Sequence, residues 1–251
     1  MKIKHTALIR LAFVVFVAAV AFSSVHLFRG PSQDHSRTAL EGASKYVAEL
    51  PVTTTVLMYN NNQPTTAFIG NSQVAEAAKQ YIKEKRPGRY RRAWGQAEIE
   101  VIVLSGITSL SDDARAKEIS ALGLRDGVSA EVQQASATNQ FCLARRQSVH
   151  GWSAGGFVLV NTGNASEAEI NQCILKGFDY LDGLPTARNE FDPAALPADE
   201  VRHAVVDYVR SCAFESRADP EKQQRSNYGI FSQPDMTCVR DKLQQAMAKA
   251  G

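Results

Sequence analysis

The sequence has few cysteines, and no two of them are close together. The four lie at Cys142, Cys173, Cys212 and Cys238, at least 26 residues apart, and no two histidines stand at the spacing of metal ligands. Structural zinc sites draw on closely spaced Cys or His pairs. We therefore expect no metal site and no cofactor. An even number of well-separated cysteines instead favours two disulfides, as in exported proteins.

Four cysteines allow three disulfide connectivities, and the sequence alone leaves all three open. We favour Cys142 with Cys173 and Cys212 with Cys238, because both loops are then local and each pair joins neighbouring elements. A disulfide that closes a loop of about thirty residues contributes roughly 3–4 kcal/mol in the chain-entropy model.

The chain also lacks a strong excess of charge beyond its N-terminus. The formal net charge of the whole sequence is +2. Lys2, Lys4, Arg10 and Arg29 supply four positive charges in the first thirty residues, which contain no acid, so residues 31–251 carry a net charge of −2. A near-neutral domain is a poor candidate for general nucleic-acid binding.

The N-terminus has the pattern of an export segment. A basic start precedes twelve consecutive apolar residues, Leu11 to Phe22, and Ala19-Val20-Ala21 is a small-x-small cleavage pattern. If the run extends to Phe28, segment 11–28 is long enough for an uncleaved membrane anchor instead. No cysteine follows the run, which excludes a lipoprotein anchor. Either alternative predicts a periplasmic or extracytoplasmic location, with membrane contact if the segment is retained.

Beyond the N-terminal segment 1–30, a polar linker is expected at 31–37. No internal repeat and no low-complexity tract is present, so a single domain over 38–251 fits best, with 38–90 left open as a separate lobe. Hydrophobic periodicity predicts an α+β fold, with a small mixed β-sheet and helices packed on it.

The individual elements follow from caps, breakers and periodicity. The predicted helices are Thr38–Leu50, a helix capped by Asn71 or Ser72 and ending near Lys85, Ser111–Leu122, Val128–Ala137, a helix from the capping box Ser166-x-x-Glu169 to Gly183, a helix from Asp199, and Asp235–Lys249. The predicted strands are Val52–Met58, Thr65–Ile69, Glu98–Leu104, Phe141–Gln147 and Gly156–Val160.

A serine-hydrolase motif is present at one place. Gly151-Trp152-Ser153-Ala154-Gly155 matches Gly-x-Ser-x-Gly, in which the serine is a nucleophile on a strained strand-to-helix turn. Ser153 is the candidate nucleophile, and His203 is the only downstream histidine that could serve as its base. The residues after the motif, Phe157 to Val160, are apolar and predict a strand rather than a helix. A glycine-rich hairpin is therefore the favoured interpretation.

The helix that ends in Gly183-Leu184 invites comparison with zinc peptidases, whose active helix carries two His ligands and a catalytic Glu. The positions that correspond to the two ligands are Lys176 and Tyr180, and the glutamate position is Gly177. None of these residues supplies the required chemistry, so we expect no zinc site here.

Residues 140–213 nevertheless resemble a known family. The features, in order, are a cysteine-bearing strand (Phe141-Cys142), an apolar strand (Phe157 to Val160), a helix with cysteine and Gly-Leu (Cys173 to Leu184), Asn189-x-Phe191, and Leu196-Pro197-x-Asp199 opening an apolar helix. This order resembles the family called domain of unknown function 2927, exported or putative lipoproteins of Gram-negative bacteria. The resemblance implies a degenerate zincin-like scaffold without metal and implies no known activity. The acids usual in the family's helix are replaced here by Lys176 and Gly177.

A cluster of cations is the main candidate for binding. Its members are Lys83, Lys85, Arg86, Arg89, Arg91 and Arg92. A solvated helix end and loop is the favoured interpretation of such a charge run. The functional interpretation is a patch for anionic lipid, an anionic polymer or an acidic partner in the cell envelope. Asp179 and Asp182 are interpreted as surface residues. Together these observations predict a non-catalytic scaffold or binding module, with a serine hydrolase using Ser153 as the alternative.

Overall fold

The structure is a computed structural model that describes residues 35–51, 58–59, 65–87, 89, 91–92, 97–105, 110–124, 127–138, 140–149, 152–163, 165–188, 190–216, 223–226, 229–232 and 236–250. The apolar segment 11–28 and most of the strand predicted at 52–58 lie outside the described residues. Export and anchoring therefore stay predictions. No helix within the described ranges has the length and apolar character needed to cross a membrane.

The described residues form helices close to the predicted positions. The helices are α1 (Arg37–Glu49), α2 (Ser72–Lys85), α3 (Asp112–Ala121), α4 (Val128–Ala137), α5 (Glu167–Leu181), α6 (Asp199–Ser216) and α7 (Met236–Ala250). Polar N-caps fix several of the starts, because their side chains accept hydrogen bonds from backbone N–H groups that have no partner within the helix. Asn71 caps α2, and Ser166 with Glu169 forms the predicted capping box of α5.

Eight strands form two sheets in the described part of the chain. They are β1 (Met58–Tyr59), β2 (Thr65–Gly70), β3 (Arg91–Arg92), β4 (Ile99–Leu104), β5 (Cys142–Val149), β6 (Trp152–Asn161), β7 (Gln223–Ser226) and β8 (Gly229–Ser232). The larger sheet has the order β3-β2-β4-β6-β5; its first four strands are parallel, and β5 pairs antiparallel with β6. The predicted α+β class, a mixed sheet with packed helices, is confirmed.

Helices cover both faces of the larger sheet. All six residues of β4 are buried, as expected for a central strand covered on both sides. Val101 and Val103 pack on one face with residues of α2 and α5, whereas Ile102 and Leu104 pack on the other with residues of α3 and α4. The period of two along β4 thus divides the apolar core between two helical layers.

A second core lies among the helices α1, α6 and α7. Leu40 and Val47 of α1 are buried with Val205 and Val209 of α6 and Leu243 of α7. The segment 38–90, left open as a separate lobe by the sequence, supplies α1 to this helical core and β2 to the large sheet. Residues 35–251 form one compact unit.

The two disulfides have the favoured connectivity. Cys142 of β5 is bonded to Cys173 of α5, and Cys212 of α6 is bonded to Cys238 of α7. The first disulfide fastens a helix to the large sheet, and the second joins two helices of the other core. Each cross-link therefore stabilises one of the two apolar cores.

Close packing explains why α5 contains Gly177, although glycine is unfavourable inside a helix. A Cβ atom at Gly177 would lie 2.6 Å from Cγ1 and 2.7 Å from Cγ2 of Val158, a buried residue of β6. These distances are too short for carbon atoms in contact. Glycine at this position therefore lets α5 approach the sheet, although glycine is a poor helix former.

Replacing Gly177→Ala should lower the free energy of unfolding by about 1–3 kcal/mol, because overpacking outweighs the gain in helix propensity. The double variant Gly177→Ala/Val158→Ala is the control. The close contacts are with the Val158 side chain. The double variant should therefore lose less unfolding free energy than the two single variants lose in sum. Urea denaturation measures both effects. A single Gly177→Ala variant more stable than the parent protein would contradict this account of the packing.

Candidate functional site

The predicted basic patch divides into exposed and buried cations. Lys83 and Lys85 are exposed in the last turn of α2, and Arg91 and Arg92 form the outermost strand, β3. The prediction that Arg86 and Arg89 belong to a solvent-facing patch is wrong. Only 3% and 14% of their side chains are exposed, because both point towards buried aspartates.

Arg86 belongs to a cluster of four charged residues, the arginine–aspartate cluster, formed with Asp179, Asp199 and Arg202. Arg86 donates from Nε to Oδ1 and from Nη2 to Oδ2 of Asp179, at 2.7 and 2.6 Å. Arg202 donates from Nε to the same Oδ2 at 2.9 Å. One buried carboxylate therefore accepts three charge-assisted hydrogen bonds from two guanidinium groups.

Asp199 and two carbonyl groups complete the arginine–aspartate cluster. Oδ1 of Asp199 accepts from Nη2 of Arg86 at 2.6 Å and from Nη2 of Arg202 at 3.1 Å. The remaining Nη1 groups of these arginines donate to the backbone oxygens of Lys85 and Pro197. Two cations and two anions thus balance in a site where every guanidinium nitrogen donates a hydrogen bond, which is the condition for burying such charges.

A second group, the histidine–aspartate cluster, surrounds Asp207 of α6. Arg89 donates to Oδ1 of Asp207, and the Nε2 atoms of His35 and His203 lie 2.9 and 3.5 Å from Oδ2. The two imidazole rings contact each other edge to face, with centroids 5.1 Å apart. This buried carboxylate therefore faces three potential cations.

Asp182, at the C-terminal end of α5, joins Arg210 to the histidine–aspartate cluster through Arg89. Its Oδ1 accepts from Nη1 of Arg210, and its Oδ2 lies 3.9 Å from Nη1 of Arg89. The surface interpretation of Asp179 and Asp182 is therefore wrong, since they are 1% and 3% exposed. Both carboxylates face inwards, where arginines from other elements balance their charge.

The environment shifts the pKa values of this site in different directions. Burial raises the pKa of Asp182, although Arg210 and Arg89 oppose the change. Burial also tends to raise the pKa of Asp207. The hydrogen bond from His35 and the charge of Arg89 outweigh burial, and together they lower the pKa of Asp207 to about 2. Burial lowers the pKa of His203, with smaller contributions from Arg86 and His35 against the attraction of Asp207. At neutral pH, Asp207 is therefore ionised and His203 is neutral.

The three positions compared with a zinc-peptidase helix have other partners. Lys176 donates from Nζ to the backbone oxygen of Pro193 at 2.7 Å, and Gly177 lies against Val158. The ring of Tyr180 stacks with the guanidinium of Arg146, 3.9 Å from the ring centroid. Among the described residues, no three His, Cys, Asp or Glu side chains are arranged to hold a metal ion.

Ser153 lies within a strand and not at a nucleophile elbow. Its backbone is part of β6 and pairs with Ser148 of β5, and the strand continues to Asn161. Gly155 is needed because its φ is 101° and a Cβ there would lie 1.8 Å from the backbone oxygen of Glu98. Gly155 thus serves strand packing. The antiparallel pairing of β5 with β6 confirms the predicted hairpin, but Trp152 to Gly155 lie within β6 and not in its turn. His203, the base of the hydrolase alternative, faces Asp207 and His35.

Five residues of this site were not predicted from the sequence: His35, Asp199, Arg202, Asp207 and Arg210. A signal was present in α6, where Asp199, His203, Asp207 and Arg210 recur at steps of three or four residues, and Arg202 follows Asp199 by three, as is typical of one helix surface. Apolar residues of α6 lie between these positions, so the charged groups needed partners from other elements.

Comparison with protein-family models, with curated protein sequences and with solved structures gives no significant match for this chain. The resemblance of residues 140–213 to a family of exported proteins therefore stays a prediction. The interpretation of the site depends on its geometry alone.

Asp179→Asn should lower the free energy of unfolding by about 3–5 kcal/mol, since it leaves two buried arginines with a single aspartate. Asp112→Asn is the matched control, because Asp112 also pairs with an arginine, Arg115, but its side chain is 94% exposed. The control should cost less than about 1 kcal/mol. Chemical denaturation at neutral pH gives both values, and equal losses in the two variants would contradict the role of the arginine–aspartate cluster.

Asp207 should make stability depend on pH in the acid range. Its pKa is about 2 in the folded protein against an ordinary value of 3.8, so its contribution of about 2 kcal/mol is present above pH 4 and lost as the pH falls towards 2. The difference in unfolding free energy between the parent protein and Asp207→Asn should therefore shrink by about that amount between pH 5 and pH 2. Urea titrations across this range measure it; a constant difference would show that Asp207 has an ordinary pKa.

Proposed function

We propose that this protein is a non-catalytic binding module of the cell envelope, which engages an anionic lipid or polymer through its basic segment. The residues proposed for binding are Lys83, Lys85, Arg91 and Arg92. Arg86 and Arg89, which belong to the cation cluster identified in the sequence, instead stabilise the fold through their ion pairs with buried aspartates.

The proposal that the protein is non-catalytic rests on Asp179, whose two carboxylate oxygens are already occupied by hydrogen bonds from arginines. A carboxylate that acts as a general acid or base must be able to exchange a proton with a substrate or a water molecule. Asp179 lies on the helix compared with peptidases, but its two oxygens accept three hydrogen bonds from Arg86 and Arg202, and its side chain is 1% exposed. This carboxylate has a structural role, and the neighbouring positions Lys176 and Gly177 are likewise occupied by packing and backbone contacts.

The location in the envelope is supported by the cysteines and by the N-terminal sequence. Two disulfides, without a free cysteine among the described residues, are typical of proteins outside the reducing cytoplasm. The basic start and the apolar run of residues 11–28 fit export or anchoring. The proposal includes membrane contact through that segment if it is retained.

The proposed binding role of the basic segment is supported by the position of its cations in the fold. Lys83 and Lys85 end α2, where positive charge complements the helix dipole. Segment 83–92 continues into β3, which forms one edge of the large sheet. Each Lys or Arg near an anionic membrane surface contributes roughly 1 kcal/mol of attraction.

The test uses the full chain with the four substitutions Lys83→Glu, Lys85→Glu, Arg91→Glu and Arg92→Glu. Binding to vesicles of phosphatidylglycerol and phosphatidylcholine should weaken at least about tenfold, and the salt dependence should decrease. The matched control reverses four exposed cations elsewhere, Arg37, Lys45, Lys117 and Lys249, and so changes the net charge by the same amount. Vesicles of phosphatidylcholine alone separate charge-driven binding from insertion of the apolar segment.

Equal binding by the two charge-reversed variants would end the proposal for segment 83–92.

The proposal that the protein is non-catalytic is tested on the same protein with a fluorophosphonate probe. A covalent adduct seen by intact mass in the parent protein, and lost in Ser153→Ala, would contradict it and support a serine hydrolase.

A further inference from the structure

Arg146 is a cation at the C-terminal end of α5 that no acid balances. The site described above joins four aspartates to four arginines: Asp179, Asp182, Asp199 and Asp207 with Arg86, Arg89, Arg202 and Arg210. The charges of these groups cancel when all are ionised. Arg146 of β5 reaches the same end of α5 but forms no ion pair with an acid among the described residues. This end of the helix therefore has one guanidinium in excess.

Backbone oxygens hold one nitrogen of the Arg146 guanidinium and leave the other two open. Nη2 donates to the oxygens of Tyr180 and Leu184, at 2.6 and 2.8 Å, and Cζ lies 3.9 Å from the centroid of the Tyr180 ring. Nε and Nη1 donate to no residue in the described part of the chain, and neither is sealed from solvent. The same atoms of Arg86 and Arg202 all donate hydrogen bonds. Arg146 thus has two donors that are fixed in orientation and available.

The surroundings offset only part of this positive charge. The carbonyl groups at a helix C-terminus carry the equivalent of about half a negative charge. Burial lowers the pKa of Arg146, and the groups that oppose this change are the phenols of Tyr180 and Tyr46 rather than a carboxylate. Arg146 is only partly buried, so a small solute can approach it from solvent. An anion at Nε and Nη1 would accept charge-assisted hydrogen bonds, which are about twice as strong as neutral ones.

The charge and the side chains at this position favour a carboxylate over a phosphate. The neighbouring cation, Arg145, points to the opposite face of β5, where its Nε lies 3.7 Å from Oε2 of Glu131. Arg146 therefore acts alone and matches a single negative charge, whereas a phosphate monoester carries nearly two at neutral pH. The rings of Tyr180 and Phe191, with centroids 5.5 Å apart, place apolar surface beside the guanidinium. Such surface suits the organic part of a carboxylic acid.

We propose that Arg146 binds the carboxylate group of a small organic acid, with Nε and Nη1 as donors and the Tyr180 ring beside the organic part of the ligand. This site is separate from the basic segment of residues 83–92 and does not depend on its role. Tyr180 packs in the core of the large sheet and Leu184 in the helical core, so Arg146 lies where the two cores meet. A bound carboxylate neutralises the excess charge at this junction.

The experiment follows the Nε–H resonances of the arginines by NMR of the 251-residue chain at neutral pH, during titration with sodium benzoate. Sodium chloride at equal ionic strength is the reference for general salt effects. We expect the Arg146 resonance to shift along a saturating curve for a single site. The resonances of Arg86 and Arg202 serve as internal references, because their Nε atoms already donate to Asp179. Inorganic phosphate, titrated in parallel, should bind more weakly than benzoate.

Two variants separate recognition by the guanidinium from attraction by any cation. Arg146→Lys keeps the charge but loses the planar donors, and should weaken benzoate binding in calorimetry at least about tenfold, as for one lost charge-assisted hydrogen bond. Arg145→Lys, on the opposite face of β5, is the matched control and should bind benzoate as the parent protein does. Equal binding by the two variants, a shift of Arg146 that does not saturate, or tighter binding of phosphate than of benzoate would overturn the proposal. If Arg146→Lys does not fold, the titration of Arg146 against Arg86 and Arg202 in the parent protein decides the question alone.

Discussion

The bidentate pairing of Arg86 with Asp179 is the contact on which the arrangement of this protein depends. Arg86 ends α2, which packs on the large sheet, and Asp179 lies on α5, which packs on the same face. Arg202 brings α6, a helix of the other core, to the same carboxylate. Elements from both apolar cores thus meet at one anion. Because burying an unpaired charge costs several kcal/mol, each element is held in the one position that satisfies all the partners.

The elements of the fold were predictable because their signals are local. N-cap residues, the capping box of Ser166 and Glu169, and the apolar periodicity of α5 and α6 act over a few residues, and they gave boundaries within a few residues of those observed. The small hairpin of β7 and β8 escaped prediction, since β7 is polar throughout and β8 has only four residues. The favoured disulfide pairing followed from the order of the predicted elements alone.

The site was not predictable in the same way, because its contacts span long distances in sequence. Arg86 and Asp179 are 93 residues apart. In the sequence, Arg86 stands among Lys83, Lys85 and Arg89, and a run of cations is typical of a solvated surface. Only the position of α5 relative to the end of α2 distinguishes the buried arginine from its exposed neighbours. Both catalytic motifs had already been rejected on the sequence alone. The structure adds the reason for their glycines, because Gly155 permits close backbone approach and Gly177 permits close side-chain approach.

The connectivity of the disulfides has a consequence for how the chain matures. Each bond joins a cysteine to the next cysteine along the chain, Cys142 to Cys173 and Cys212 to Cys238, and the two loops neither overlap nor enclose one another. A chain that is oxidised progressively from its N-terminal end forms these pairs in the order in which the thiols emerge. Neither alternative connectivity arises by that route. Maturation can therefore proceed with an oxidant alone, without an isomerase to reshuffle misplaced bonds.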